Sequence, residues 1–176
     1  MERLRTNFDI DVVFRAFPLH PETPVSGLTL EELFAGRSID IPAAQQRMAR
    51  LMREEGLPYG NRAMTYNSRL AQEVAAWAAT QSGEAAIHDT LFKAYFVEGR
   101  NLADREELIA IAAGAGLSAE EAKEVIVTRS FREVVDEDWQ RSRDLGITGV
   151  PTYICSGKGV VGAQPYEALA QLVTTA

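Results

Sequence analysis

Residues 146–163, GITGVPTYICSGKGVVGA, contain two short apolar runs separated by a turn that is rich in glycine. The runs are 152–155 and 160–161, and Ser-Gly-Lys-Gly lies between them. Two β-favouring runs joined by a tight turn with glycine predict a β-hairpin. Pro151 stands at the entry of the first strand, where a missing N–H group is tolerated. The stretch therefore predicts a hairpin that follows a Gly-Val-Pro turn.

Composition and charge are those of an ordinary globular chain. The 176 residues are 46% hydrophobic and 24% charged, which is enough apolar material for a substantial core. The net charge of −7 argues against sequence-independent binding of nucleic acid, which needs clustered Lys and Arg. No run approaches the roughly 18 apolar residues of a membrane helix, and the N-terminal MERLRTNFDID lacks the apolar core of a secretory signal. A single cysteine excludes an intrachain disulfide, so the expected location is the cytoplasm.

The pattern before the hairpin is one strand followed by a long helical block. Residues 8–17, FDIDVVFRAF, alternate apolar and polar side chains with a period of two, which predicts a β-strand. Three prolines between residues 18 and 24 end it. Helical patterns then dominate as far as residue 145, and helix starts are predicted at the capping residues Thr29, Asp40, Asn67, Asp104 and Ser118. This order predicts an α/β domain with a helical insertion.

Apolar stripes within the helical block predict which side chains face the core. The helix that follows Asp40 is expected to turn Met48, Leu51 and Met52 inward. The helix that starts near Glu84 is expected to bury Ile87, Leu91, Phe92, Tyr95 and Phe96.

The order of elements and several runs resemble one protein family. The chain is similar to DsbA-like proteins, in the branch that contains the FrnE type and the 2-hydroxychromene-2-carboxylate isomerases, at FRAFPLHPE (14–22), NSRLAQEVAAWA (67–78), LFKAYFVEGRNLADREELIAIAAGAGL (91–117) and DLGITGVPTYICSGKGVVGAQPYEAL (144–169). The last run is the most specific, because GVP and GAQP at that separation rarely occur together by chance. The resemblance implies an α/β, thioredoxin-like fold with a helical insertion. Residues 1–28 and 144–176 would form the core, and residues 29–143 the insertion.

The sequence also departs from this family. Its members begin with a strand and a Cys-Pro-x-Cys-type motif, and here both are absent before residues 1–7, which resemble the end of the first helix. In the family sheet that strand lies between the strands that match 8–17 and 152–155. Three explanations are open: the chain is cut short, the two remaining strands pair directly, or a second copy covers the exposed sheet. We expect the first as the origin, testable by an in-frame Cys-x-x-Cys upstream of Met1, and the third as the reason that such a chain stays in solution. The interpretation requires 8–17 and the hairpin to share a sheet.

The resemblance also implies a substrate-binding site. In the family the backbone of the residue before the proline pairs with extended substrate. On this chain that implies Gly149, Val150 and Pro151 as substrate-binding residues, with a cis Val150–Pro151 peptide bond; a purely structural turn is the alternative. No catalytic residue is expected, because thiol–disulfide exchange by this type of enzyme uses a thiolate at a helix N-terminus and a second, resolving cysteine. Cys155 lies alone in mid-strand and is interpreted as a small buried hydrophobe.

Other chemistry-bearing side chains are few. His20 follows a strand end at which this fold binds substrate, but a solvated loop histidine is favoured, and His88 is expected on the polar flank of its helix. Neither has the spaced partners of a zinc or nucleophile–base site, so no metal is expected. The aromatic stripe Phe92, Tyr95 and Phe96 is interpreted as core. Since the insertion covers the active-site groove in the family, part of that stripe is also a candidate lining.

Three functions follow as hypotheses. The first is a DsbA/FrnE-type thiol–disulfide oxidoreductase domain that acts on protein thiols or disulfides and whose redox cysteines are absent from this chain. The second is a 2-hydroxychromene-2-carboxylate isomerase-like or kappa-class transferase-like protein that acts on a small molecule with glutathione; otherwise no cofactor is expected. The third is a non-catalytic thioredoxin-fold domain for binding or dimerisation. The chain by itself is expected to be inactive both in insulin reduction and in glutathione conjugation, and a homodimer is the expected assembly.

Overall fold

The computed structural model describes residues 1–81 and 84–175. In chain order, the elements of this part of the chain are α1 (Glu2–Asn7), β1 (Leu28–Thr29), α2 (Leu30–Leu33), α3 (Ile41–Glu54), β2 (Met64–Thr65), α4 (Arg69–Ala78), α5 (Glu84–Phe96), α6 (Arg105–Gly114), α7 (Ala119–Thr128), α8 (Arg132–Asp144), β3 (Thr152–Cys155), β4 (Lys158–Val161) and α9 (Tyr166–Thr174). The strands form two separate antiparallel pairs, β1 with β2 and β3 with β4. None of the helices described has the length and hydropathy of a membrane span.

The chain divides into two compact units. Residues 1–19 and the segment from residue 136 onwards form unit 1, and residues 20–135 form unit 2. Unit 1 therefore combines the two ends of the sequence, and unit 2 is a single continuous segment.

The predicted hairpin is confirmed in unit 1. Thr152 lies opposite Val161, and Cys155 lies opposite Lys158. Ser156 and Gly157 form the turn, with φ angles of 46° and 82°. Two consecutive residues with positive φ make the kind of tight turn whose twist matches that of the flanking strands. Local sequence was therefore enough to predict this element.

Helix α9 covers the hairpin, because it packs against both β3 and β4. Its Leu169 and Leu172 side chains are buried. The N-terminal helix α1 packs against α9. Asn7 Nδ2 donates a hydrogen bond of 2.6 Å to the Tyr166 hydroxyl, and the Arg3 guanidinium carbon lies 3.9 Å from the centre of the Tyr166 ring. These contacts hold the two ends of the sequence together.

Unit 2 has an apolar core built by four helices. Helices α4, α5, α6 and α7 pack against one another. The largest fully buried apolar side chains of this core are Val74, Ile87, Leu108, Ile111 and Ile126. The short β1–β2 pair joins Leu28 to Thr65 and Thr29 to Met64. The sequence does not predict this pair, because strands of two residues are too short to show an alternation of apolar and polar side chains.

Most predicted helix caps are confirmed. Thr29 and Glu32 form a reciprocal capping box, and the Asp40 carboxylate accepts from Ala43 N at 2.9 Å. The carboxylate of Asp104 and the hydroxyl of Ser118 accept the corresponding bonds at the starts of α6 and α7. At α4 the helix boundary lies one residue later than predicted, at Ser68, which makes no side-chain cap bond, but the predicted capping residue Asn67 does accept from Arg69 N at 2.9 Å.

The prediction of a strand over residues 8–17 is wrong. Phe8 is extended, with φ −134° and ψ 142°, but no residue of this segment belongs to a strand of the described chain. Near its end, Ala16 N donates instead to the Asp138 carboxylate at 2.9 Å. A strand needs a neighbour to accept its ladder of hydrogen bonds, and the described residues offer none beside 8–17. The expected shared sheet is therefore also not observed, and direct pairing with 152–155 is excluded in this structure.

Three side chains that were predicted to be buried, on two helices, are exposed. Met48 is 45% exposed and Leu51 is exposed as well. Among the residues of α3, Ile41, Gln45 and Met52 are half-buried. The rest of the protein therefore covers only part of the apolar stripe of this helix. Helix α5 buries Ile87 and Leu91 as expected, but its Phe92 is 57% exposed.

Candidate functional site

The turn before the hairpin is held by backbone and hydroxyl contacts within unit 1. The Val150–Pro151 peptide bond is cis, as predicted. The Thr152 hydroxyl donates to the Gly149 carbonyl at 2.7 Å. Gly162 N donates to the Pro151 carbonyl at 2.7 Å, which extends the β3–β4 ladder to the proline. The turn is therefore fixed on both sides of Val150.

Val150 itself is presented to solvent. Its side chain is 48% exposed, and within the described residues neither its N–H nor its carbonyl group forms a hydrogen bond. Pro151 is also exposed, and Gly149 is half-buried. A rigid turn with an unpaired donor and acceptor on one exposed residue is suited to pairing with an extended chain. The three predicted residues therefore lie together at the surface.

The single cysteine lies in β3. Cys155 is half-buried and free, so it is less enclosed than a core cysteine. It lies opposite Lys158 across the hairpin and at the end of the strand away from Pro151. With one cysteine in the sequence, an internal dithiol–disulfide cycle has no second sulfur. The arrangement supplies a binding turn without a redox pair.

In unit 2 the structure brings His20 close to positive charge. His20 is half-buried, rather than fully solvated as predicted. Burial lowers the pKa of His20, and the positive charges of Arg37 and Arg62 lower it further. The Arg62 side chain reaches the aromatic stripe of α5, where it donates to the Tyr95 hydroxyl at 3.0 Å. The sequence pattern pointed to His20 and to the aromatic stripe of α5 as candidates, but not to Arg62, which interacts with both.

A buried carboxylate is the other polar feature that sequence analysis missed. Glu73 is 1% exposed. It accepts from Arg69 Nε at 2.6 Å, from Arg129 Nε at 2.6 Å and from Arg129 Nη2 at 2.6 Å. Burial alone would raise the pKa of Glu73, but these hydrogen bonds and charges outweigh it, so the pKa lies below its ordinary value of 4.5. The i, i+4 spacing of Arg69 and Glu73 predicts an ion pair, although not its burial.

The two arginines also border a groove. The groove has a volume of about 680 Å³ and is lined by Val25, Asn67, Arg69, Leu70, Ala103, Asp104, Arg105, Glu106 and Arg129. Glu73 fixes the arginine side chains that form part of its wall. Residues 1–81 and 84–175 contain no cluster of three or more side chains of the types that ligate metals.

Comparison with known proteins assigns the family. A model of the DSBA-like thioredoxin domain matches residues 1–174. The chain belongs to the DsbA-like thioredoxin family. Because the match extends over nearly the whole sequence, it includes both the turn at Val150 and the helical unit. A search of curated proteins found no significant match.

Solved structures agree with this assignment. A probable DsbA oxidoreductase from Streptomyces coelicolor is 27% identical, with a TM-score of 0.90 over 99% of this chain and 80% of that chain. A 2-hydroxychromene-2-carboxylate isomerase is 17% identical, with a TM-score of 0.72 over 99% of this chain and 83% of that chain. A cytosolic disulfide reductase, DsbM from Pseudomonas aeruginosa, is 23% identical, with a TM-score of 0.52 over 76% of this chain and 68% of that chain. The similarity to the last two structures shows a shared fold only.

The fold of this DsbA-like chain is therefore the predicted one, an α/β thioredoxin-like fold with a helical insertion. The family match, and not the expected shared sheet, carries that conclusion. The hairpin after Pro151 and a helical unit are present as predicted, whereas residues 8–17 fall within the family match but form no strand. A DsbA-like chain with one cysteine retains the scaffold but not the paired thiols of the redox reaction.

Proposed function

We propose that this chain is a scaffold of the DsbA/FrnE-type thiol–disulfide oxidoreductases, in which Gly149, Val150 and Pro151 bind an extended segment of a protein substrate. The redox cysteines of that activity are not among its residues. The observation that carries the proposal is the exposed Val150, whose backbone donor and acceptor are both unpaired in a member of the DsbA-like family. Two main-chain hydrogen bonds from a rigid turn align a substrate chain without contacting its side chains.

A binding experiment tests this role without requiring catalysis. The probe is a fluorescent, S-methylated peptide from the insulin B chain, which has no thiol to react, and its binding is followed by anisotropy. Val150→Asp should weaken binding by about tenfold, since a charge at the turn and the loss of packing together cost on the order of 1.4 kcal/mol. Val161→Asp is the matched control, because Val161 is also an exposed hairpin valine, at 60%.

The outcomes separate clearly. Binding that Val150→Asp weakens and Val161→Asp leaves within about twofold supports the proposal. Equal effects of the two substitutions, or no binding by the unmodified chain, would contradict it.

Activity assays test the second half of the proposal. The chain should not reduce insulin with dithiothreitol above the uncatalysed rate, and Cys155→Ser should not change that result, because one thiol cannot both attack and resolve a mixed disulfide. Catalysed insulin reduction would show that Cys155 works with an external thiol. Turnover in a glutathione-conjugation assay would instead favour the isomerase-like alternative, with glutathione as the cofactor.

The hairpin also supports a homodimer as a proposal. Ile154 and Val161 are exposed apolar side chains of β3 and β4, and α9 packs on the hairpin. Burying such side chains against a second copy would be favourable. Light scattering that gives a dimer mass lowered by Ile154→Asp would support this assembly, and a monomer mass for the unmodified chain would contradict it.

A further inference from the structure

Arg62 occupies an unusual position among aromatic rings in unit 2. Its guanidinium carbon lies 5.2 Å from the centre of the Tyr95 ring and 5.7 Å from that of Phe96. One terminal nitrogen, Nη1, donates to the Tyr95 hydroxyl at 3.0 Å. That hydroxyl lies 3.0 Å from the Thr65 hydroxyl, so it can donate there while it accepts from Arg62. The Arg62 side chain is thus held by rings and neutral hydroxyl groups.

The backbone of Arg62 is held as well. The Gln45 side-chain amide donates to the Arg62 carbonyl at 2.5 Å, which connects the segment before β2 to helix α3. This hydrogen bond fixes the position of the main chain from which the Arg62 side chain extends.

In the part of the chain that the structure describes, Arg62 is not paired with a negative charge. Within residues 1–81 and 84–175, neither Arg62 nor Arg37 forms an ion pair with a carboxylate. The Arg62 Nε atom is buried and has no hydrogen-bond partner. Buried donors are nearly always paired, and an unpaired one points to a missing acceptor such as an ion or a water molecule. The chain carries 25 acidic residues against 18 Lys and Arg, so this local lack of carboxylates does not reflect a shortage of them.

Two further groups that can carry positive charge lie in the same neighbourhood. The positive charges of Arg37 and Arg62 both act on His20. Arg37 is exposed and His20 is half-buried, so solvent reaches both of these groups. Like charges at close range repel, and an anion between them would remove that repulsion.

We propose that Arg62, Arg37 and His20 bind the oxyanion group, a carboxylate or a phosphate, of a small ligand. Arginine binds such groups through two parallel N–H bonds. The Nε edge of the Arg62 guanidinium group is the part that would contact the ligand, since Nη1 already donates to the Tyr95 hydroxyl. The aromatic rings exclude water around this contact and strengthen it. The site lies within unit 2, and the proposal goes beyond the substrate-binding turn and does not depend on it.

Proton NMR of the histidines tests the proposal. The chain has two histidines, and His88→Gln assigns the ring signals of His20. The pKa of His20 is measured with increasing inorganic phosphate or acetate, with chloride keeping the ionic strength constant. A bound anion offsets the two arginines, so the pKa of His20 should rise with saturation. Saturation by phosphate alone identifies a phosphate site, and saturation by acetate alone a carboxylate site. A pKa of His20 that follows neither anion overturns the proposal.

Arginine variants show whether the named residues form the site. Arg62→Gln and Arg37→Gln should each weaken anion binding by about tenfold or more, since each removes charge-assisted hydrogen bonds. Arg53→Gln is the matched control, because Arg53 is an exposed arginine of α3 and its loss changes the net charge equally. The exposed Arg37 keeps the test valid if Arg62→Gln unfolds the chain, which circular dichroism would reveal. Full affinity in Arg37→Gln, or an equal loss in Arg53→Gln, would overturn the assignment.

Discussion

Replacing Glu73 by glutamine should destabilise unit 2. The carboxylate receives three hydrogen bonds of 2.6 Å from Arg69 and Arg129. These residues stand on α4 and at the end of α7, so the ion pair connects two helices of the same core. Glutamine keeps the shape of the side chain and one acceptor oxygen, but it removes the negative charge with which both guanidinium groups form ion pairs.

The structure sets the size of the effect. Removing one charge of a buried ion pair typically costs about 3–5 kcal/mol. Glutamine retains one acceptor, and the Arg129 side chain is 38% exposed, so water can solvate part of its charge. We therefore expect Glu73→Gln to lower the free energy of unfolding by about 2–3 kcal/mol. Glu124→Gln is the matched control, because Glu124 is an exposed glutamate of α7, and it should change stability by less than about 0.5 kcal/mol.

Urea unfolding followed by tryptophan fluorescence measures the loss. The chain has two tryptophans, and Trp77 is buried in the core that α4 helps to form. A Trp139→Phe background therefore makes the fluorescence report on unit 2. The slope of the transition should be similar in the variants, since the surface exposed on unfolding is almost unchanged.

The pH dependence gives a second readout. Because the pKa of Glu73 is lowered in the folded chain, its stabilisation is complete above the ordinary value of 4.5 and is lost as the pH falls through the folded-state value. The difference between the native chain and Glu73→Gln should accordingly be constant near neutral pH and shrink below about pH 4.5. A loss below about 0.5 kcal/mol at neutral pH, or a difference that grows on acidification, would refute this account.

Four further substitutions test other parts of the structure by thermal and urea unfolding. Thr29→Ala removes the hydroxyl of a capping box and should cost about 1 kcal/mol; no change would mean that the cap is not formed in solution. Asp138→Asn leaves one acceptor oxygen where the carboxylate now accepts from Arg15 Nη1 and Ala16 N, and it should cost about 1–2 kcal/mol; a stabilised variant would contradict those contacts. Leu108→Ala in the core should cost about 2–5 kcal/mol, and Met48→Ser on the exposed face of α3 less than about 0.5 kcal/mol. The opposite ranking would show that α3 is buried after all.

Local sequence predicted the elements whose causes are local. The hairpin depends on two short β-favouring runs and on Ser156 and Gly157, which adopt positive φ between them. Helix starts depend on a side chain and an N–H group three residues later, as at Thr29 and Asp40. Neither cause requires knowledge of the rest of the fold, so both could be predicted.

Predictions that depended on a partner element were wrong. Residues 8–17 have the alternation of a strand, but a strand forms only beside a neighbour, and alternation does not reveal whether one exists. Met48 belongs to a well-formed apolar stripe, and its exposure depends on how much of that stripe the protein covers. The aromatic stripe of α5 shows the same limit, since Tyr95 is half-buried and Phe92 is exposed.

The two polar clusters of unit 2 were outside the reach of sequence patterns. Glu73 and Arg129 are 56 residues apart, and Arg62 and Tyr95 are 33 apart. Only the packing of separate parts of the fold brings such pairs together. The turn at Val150, by contrast, was predicted because the resemblance to DsbA-like proteins identifies it, and the structure adds that Val150 is exposed and that its backbone forms no hydrogen bond within the described residues.

The order of the units along the chain has a consequence for synthesis on the ribosome. Unit 2 is continuous, so residues 20–135 can begin to fold as soon as they have emerged. Asn7 must wait for Tyr166, which is 159 residues later and is made roughly 8–30 s afterwards at about 5–20 residues per second. Throughout that interval the nascent N-terminal segment lacks the helix on which it finally rests. Residues 1–19 are therefore made early but gain their contacts with α9 only near the end of synthesis.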